Sequence, residues 1–221
     1  TRIAVNGLGR IGKLALRDLC ENGAGGEIVL LNDIAGDADQ HALLLEFDSV
    51  HGRWNADISA HAEGLKINGR DIRLTNERKI EDLALGEMGI DVAIDCTGVF
   101  KSEAALAPYF AAGVKKVIVS APVKDGDALN LVYGVNHDLY DHDKHHLVTA
   151  ASCTTNCLAP VVKVIHEELG IRILDQIITD QWAQRETVVD VDDGIMQRVQ
   201  PDTGVKPLGE QMIVLAETLD E

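Results

Sequence analysis

A strand–turn–helix–strand unit at the start of the chain limits its fold more than any other feature. Arg2-Ile-Ala-Val5 is a short apolar run with strand character, and Asn6-Gly-Leu-Gly-Arg-Ile-Gly12 follows at once. Ile11, Leu14, Ala15 and Leu19 then recur at helical spacing until Asn22-Gly23. A second apolar run, Glu27-Ile-Val-Leu-Leu31, ends at Asn32-Asp33. Gly7, Gly9 and Gly12 stand as G-x-G-x-x-G, and Asp33 lies 21 residues beyond Gly12. The glycine pattern alone is weak. Between a strand and a helix, with an acidic residue at that distance, it is the fingerprint of a dinucleotide-binding βαβ unit. Each glycine has its own task. Gly7 permits the tight turn, Gly9 lets a pyrophosphate approach the backbone, and Gly12 lets helix and strand pack closely. The helix N-terminus takes the phosphate charge. Asp33 is placed to accept hydrogen bonds from a ribose, and its charge repels a 2′-phosphate, so the expected cofactor is NAD rather than NADP.

The alternation continues downstream. A helical stretch covers 35–45, and 58–74 reads as a small hairpin around Asn68-Gly69. Val92-Ala-Ile-Asp-Cys96 and Lys116-Val-Ile-Val-Ser120 read as buried strands, broken by Thr97-Gly98 and Ala121-Pro122. Ser102 can cap a helix running toward Gly113, which Pro108 should kink or shorten. Leu129 to Tyr133 and His146 to Thr149 supply two more strands. The expected fold is therefore α/β, a doubly wound parallel (Rossmann-type) sheet followed by an incomplete, divergent second domain. In such sheets ligands lie beyond the carboxyl ends of the strands, where Gly9, Asp33, Thr97, Ser120 and Cys153 all fall. Arg78 can stack on an adenine or serve as surface charge.

The segment Ala150-Ala-Ser-Cys-Thr-Thr-Asn-Cys157 closes an apolar run and precedes a helical pattern over 156–169. Cys153 thus sits where a strand hands over to a helix, a position at which free N–H groups favour an anion. A thiolate beside a nicotinamide can attack an aldehyde, lose a hydride to NAD and leave a thioester for phosphate or water to open. That chemistry needs a base near the sulfur and an oxyanion donor, for which the Cys153 N–H is available. Cys157, one turn on, is expected to be a small buried hydrophobe. The four cysteines form no disulfide framework, and no second Cys/His pair is spaced to complete a metal site with Cys153 and Cys157, so no metal is expected.

Twenty basic and 36 acidic residues give a net charge of −16, which argues against nucleic acid or an anionic membrane as main partner. With no apolar run long enough to span a bilayer and no charged-then-apolar leader, a soluble, cytoplasmic protein is expected.

Several of these stretches together resemble phosphorylating glyceraldehyde-3-phosphate dehydrogenase. They are Asn6-Gly-Leu-Gly-Arg-Ile-Gly12, Asn32-Asp33, Phe47-Asp-Ser-Val-His-Gly-Arg53, Cys96-Thr-Gly98, Ser120-Ala-Pro122 and Ala151-Ser-Cys-Thr-Thr-Asn-Cys-Leu-Ala-Pro160. The resemblance covers residues 1 to about 170. It implies NAD contacts at Gly9, Arg10, Ile11, Asp33, Arg78, Thr97 and Ser120. It implies Cys153 as nucleophile, with Ser152 and Thr154 near an inorganic-phosphate site. It also implies an aldehyde phosphate as substrate, a homotetramer and a place in glycolysis. An NAD-binding domain over 1–152 and a remnant of the catalytic domain over 153–221, beginning with the cysteine helix, follow from it. A non-catalytic NAD-binding module or regulatory pseudo-enzyme is the alternative.

The pattern departs from the family after residue 170. The histidine base implied by the resemblance falls at position 180, which holds Asp180, and the phosphate-binding threonine falls at Ala183. Thr187-Val-Val-Asp190 matches in register again, an island that suggests a substituted or frame-shifted segment.

Overall fold

The computed structural model describes residues 1–22, 26–123, 125–169, 171–174 and 189–191, the last two stretches as backbone. Asp180, Ala183 and Thr187 lie outside the described residues. The chain divides into two compact units, Thr1–Ser120 and Ala121–Glu221.

In the first unit, β1 (Arg2–Asn6) leads through α1 (Arg10–Asn22) to β2 (Glu27–Asn32) and α2 (Ala38–Glu46). A two-strand ladder, β3 (Phe47–Asp48) and β4 (Gly52–Arg53), follows. A meander of β5 (Ile58–His61), β6 (Gly64–Ile67) and β7 (Arg70–Thr75) comes next, then β8 (Val92–Asp95), α3 (Glu103–Ala111) and β9 (Lys116–Val119). These strands lie side by side as β9-β8-β1-β2-β7-β6-β5. The β9-β8-β1-β2-β7 part is parallel and the rest antiparallel. The chain leaves β1 toward β2 on one side and returns to β8 on the other. The topological switch point, where ligands of such sheets bind, is therefore between β1 and β8.

Apolar strand interiors produce this arrangement, as the sequence suggests. Ile3, Val5, Ile28 and Leu31 are buried with Leu16 of α1, Leu45 of α2, Trp54 and the meander's Leu65, Ile67 and Ile72. Arg17 is buried too, because its guanidinium donates to the Leu45 and Gly52 carbonyls and lies over Trp54. Asp37 caps α2 by accepting the Gln40 N–H at 2.8 Å.

Two local expectations shift. The 58–74 hairpin is a three-strand meander whose last strand, β7, is absorbed into the main sheet beside β2. Its Asn68-Gly69 turn stands as expected, with φ of +49° and +81°. Ser102 does cap α3 through the Ala105 N–H, and the helix runs through Pro108 but ends at Ala111, short of Gly113.

In the second unit, β10 (Leu129–Asn130) pairs in parallel with β11 (Leu147–Thr149), and α4 spans Cys153–Leu169. Val132, Ala151 and Ala159 form a small apolar nucleus. The strand expected over 129–133 stops at Asn130, because the Asn136 side chain takes the Val132 N–H and donates to the Asn130 carbonyl. The backbone of β12 (Ile171–Leu174) pairs antiparallel with β13 (Val189–Val191). No helix among the described residues is long and apolar enough to cross a membrane.

Candidate functional site

At the glycine loop the tight turn expected of Gly7 and the close packing expected of Gly12 are both present. Gly7 has φ +94°, and a Cβ there would lie 2.6 Å from the Cys96 carbonyl carbon and the Thr97 nitrogen. A Cβ on Gly12 would lie 1.8 Å from the Gly7 carbonyl oxygen, so helix and loop touch backbone to backbone. A Cβ on Gly9 would meet nothing within 4 Å, so its backbone faces open space at the start of α1. Lys13 folds back to donate to the Leu8 carbonyl, and partial burial lowers its ammonium pKa while Asp33 opposes that shift.

Asp33 sits just past β2. Its carboxylate accepts the Leu8 N–H at 2.6 Å and the Ala35 N–H at 3.0 Å, which fixes the carboxylate against the glycine loop. A carboxylate has about four acceptor positions, so capacity remains for ribose hydroxyls. Asn76 ties the end of β7 to this corner by donating to the Asp33 and Gly36 carbonyls.

Gly7, Gly9, Asp33, Arg78 and Thr97 line one cavity of about 280 Å³ at the switch point. That is the low end of small-molecule pockets and suits a nucleoside portion. Arg10 and Ile11 stand on the first turn of α1, outside this lining. The Arg10 guanidinium reaches both carboxylate oxygens of Asp48 at 3.3 Å, and Asp48 also accepts the Val50 and His51 N–H groups. Those donors hold the Asp48 carboxyl well below the usual carboxylate range. Ser120 is outside the lining as well; its backbone N–H donates to the Asp95 carbonyl at 2.9 Å, next to Cys96, which does line the cavity. Burial pushes the Cys96 thiol up to about 11.

Several crevice residues carry no motif in the sequence. Ile34, Val99 and Phe100 add an apolar wall, and Asn6 and Glu77 a polar one. Nor does a motif mark the row of buried polar residues beneath the crevice, formed by Asn6, Asn32, Asp95 and Tyr109. The available signal was that the apolar strands β1, β2 and β8 each end in Asn or Asp.

In the second unit, α4 starts at Cys153 itself, three residues earlier than the expected Asn156. Ser152 explains the early start, since its Oγ accepts the Thr155 N–H at 3.0 Å as an N-cap does. The same Oγ lies 2.9 Å from the Thr154 hydroxyl and 2.7 Å from that of Thr155. Asn156 reaches back to the carbonyls of Ala150 and Ser152. Ala151, 3% exposed, is held at φ +54°. The turn before the cysteine is therefore strained and tied from both sides. Cys153 is exposed. So is Cys157, which corrects the expectation that it is buried; it lies on the outward side of the first helical turns.

Residues 1–103 match the family model for the glyceraldehyde 3-phosphate dehydrogenase NAD binding domain, and 152–199 match the C-terminal domain of the same family. The chain is 52% identical over 174 residues to glyceraldehyde-3-phosphate dehydrogenase 3 of Nostoc sp., an alignment covering 77% of this chain and 50% of that protein. The chain belongs to the glyceraldehyde-3-phosphate dehydrogenase family. Identity is 46% over 170 residues to the Geobacillus stearothermophilus member and 44% over 170 residues to that of Streptomyces coelicolor. Each of these alignments covers 77% of this chain and 50% of the relative. The chain spans about half the length of the curated relatives it matches. Family membership makes the parallel sheet a Rossmann-type domain and NAD its cofactor.

The crevice fits that cofactor on its own terms. It offers backbone open at Gly9, a helix N-terminus, a fixed carboxylate and an apolar wall.

Proposed function

We propose that the chain is an NAD-dependent, phosphorylating aldehyde dehydrogenase of the glyceraldehyde-3-phosphate dehydrogenase type, acting on an aldehyde phosphate through Cys153. The observation that carries this reading is the exposed Cys153 on the first residue of α4, in a chain matched to the family from its NAD binding domain through the cysteine segment. In this reading the Cys153 sulfur adds to the aldehyde carbon, and the resulting hemithioacetal oxygen is stabilised by the Cys153 N–H, which the start of a helix leaves free. NAD supplies the hydride acceptor that turns this adduct into a thioester. Inorganic phosphate then displaces the sulfur, releasing an acyl phosphate and the free thiol. Ser152 and Thr154, whose hydroxyls already meet, hold the phosphate.

The nucleotide contacts we assign are Gly7, Gly9 and Gly12 for the phosphate turn, with Arg10 and Ile11 on the first turn of α1. Asp33 takes the ribose, Arg78 the adenine and Thr97 the far side of the crevice, with Ser120 just beyond its lining. We assign residues 1–152 to NAD binding and 153–221 to the catalytic remnant, a division supported by a C-terminal family match over 152–199. The same reading makes the protein a cytoplasmic homotetramer of glycolysis. With Asp180 where the resemblance implies a histidine base, the chemical step is slower by about 10²–10⁴-fold than with a matched base. The test is a rapid-mixing measurement of NADH absorbance with glyceraldehyde 3-phosphate, NAD and phosphate. A slow burst that Cys153→Ser abolishes supports the proposal; a burst unaffected by Cys153→Ser overturns it.

A further inference from the structure

Beneath the crevice, four strand ends line up residue for residue. Asp95 of β8, Asn6 of β1, Asn32 of β2 and Thr75 of β7 are register partners in three successive parallel ladders. Asn6, Asn32 and Asp95 are at most 6% exposed. Side chains in register share a face of the sheet, and here each bonds to the next. The Asn32 amide donates to Asn6 Oδ1 at 2.7 Å, and Thr75 Oγ1 donates to Asn32 Oδ1 at 2.9 Å. Tyr109 of α3 closes the row. Its hydroxyl accepts from Asn6 Nδ2 at 2.7 Å and donates to Asp95 Oδ2 at 2.8 Å.

The ends of this row hold the two rims of the crevice. Asp95 Oδ1 accepts both the Thr97 N–H and the Thr97 hydroxyl. Asn32 grips Glu77 twice, accepting its N–H at 2.8 Å and donating to its carbonyl at 2.9 Å. Thr97 and Glu77 line opposite sides of the cavity, and Arg78 follows Glu77 directly.

The polarity of the row is forced from one end. The Tyr109 hydroxyl has a single proton, spent on Asp95, so it can only accept from Asn6. Asn6 must then turn its oxygen toward Asn32. Asn32 in turn spends both amide protons and both oxygen lone pairs, on Asn6, Glu77 and Thr75. Burial favours the neutral hydroxyl of Tyr109, which keeps that proton in place. If the hydroxyl is lost, the Asn6 amide loses the group that orients it, and the error passes along the row.

We propose that this row, closed by the Tyr109 hydroxyl, is a positioning device that couples the Thr97 and Glu77 rims of the crevice, with Tyr109, Asn6 and Asn32 as positioning residues for NAD. The proposal rests on the reading of this crevice as the NAD site. The test is Tyr109→Phe in the full chain, with amide hydrogen exchange in the free protein and NAD affinity by calorimetry. The control is Ile72→Val, a core change away from the row. The expected result is that Tyr109→Phe speeds exchange at the Glu77 amide by about tenfold and weakens NAD by about tenfold, while Ile72→Val leaves both within about twofold. Unchanged Glu77 exchange overturns the proposal, and so does faster exchange with unchanged NAD affinity, or an equal loss in Ile72→Val. If the unaltered chain binds no NAD, the cofactor reading falls instead, and the exchange measurement still decides whether the rims are coupled. If Tyr109→Phe does not fold, Thr75→Val tests the row from its other end. Faster exchange at the Thr97 amide supports coupling, and unchanged exchange refutes it.

Discussion

Two single-methyl changes in the glycine loop should have opposite consequences. In Gly12→Ala the new Cβ lies 1.8 Å from the Gly7 carbonyl oxygen, less than any normal contact. Gly7 cannot retreat easily, because its N–H donates to the Asn32 carbonyl at 2.8 Å and its own Cα packs against the Cys96–Thr97 backbone. Overpacking of this kind costs about 1–3 kcal/mol. That is a large share of a typical stability of about 5–15 kcal/mol, and it lowers a urea midpoint by roughly 1 M. Gly9→Ala meets nothing within 4 Å and needs no left-handed backbone. Stiffening the unfolded chain there gains about 0.4–1 kcal/mol, so the free protein stays as stable or becomes slightly more so. The same methyl occupies the space through which a pyrophosphate approaches, and NAD affinity should fall by at least about tenfold, or 1.4 kcal/mol. Urea denaturation followed by circular dichroism, paired with NAD calorimetry, separates the two effects. Gly9→Ala retaining NAD affinity within about twofold would rule out a close pyrophosphate approach at Gly9.

Four further outcomes follow from the described residues. Iodoacetamide at pH 8 should label exposed Cys153 and Cys157 well before Cys96, whose thiol is pushed up to about 11; peptide mapping over time reads this. Because that pKa is raised, the Cys96 contribution to stability is present below 9.0 and lost as pH rises through about 11, an alkaline decline that Cys96→Ala should flatten. Asp95 is also raised by burial, so its contribution is present below 3.8 and lost as pH rises through its higher folded value; Tyr109→Phe, which removes a donor to this carboxylate, should steepen that loss in a pH series of urea midpoints. At Ala151, relief of the φ +54° backbone by about 1–2 kcal/mol is offset in Ala151→Gly by the buried methyl, about 0.8 kcal/mol, and by backbone entropy, about 0.5–1 kcal/mol. Thermal melts should place Ala151→Gly within about 1 kcal/mol of the unaltered chain, whereas β-branched Ala151→Val should lose more than about 2 kcal/mol.

The parts of the site written into contiguous residues are legible in the sequence. The turn at Gly7 and the close packing at Gly12 are legible from spacing, because one turn and one helix start fix both. Asp33 is legible because a βαβ unit sets its distance from them. The row beneath the crevice is not, since its members lie in four different strands, and only the register of the finished sheet aligns them. A single Asn or Asp at a strand end reads as the start of a loop. For the same reason β7 reads as the second arm of a small hairpin, and its pairing with β2 is a long-range contact that local alternation cannot reveal. The apolar pattern places the start of α4 a turn too late because Ser152, rather than a later residue, supplies the cap.

Acylation of Cys153 at the expense of an aldehyde is the step on which the proposed function stands. It is read directly by peptide mass mapping after the chain is mixed with glyceraldehyde 3-phosphate and NAD without phosphate, then quenched in acid. A phosphoglyceroyl thioester is expected on the peptide containing Cys153, dependent on NAD, discharged by added phosphate and absent in Cys153→Ser. A chain that binds NAD but shows no acyl group on Cys153 at any time would contradict the proposed function.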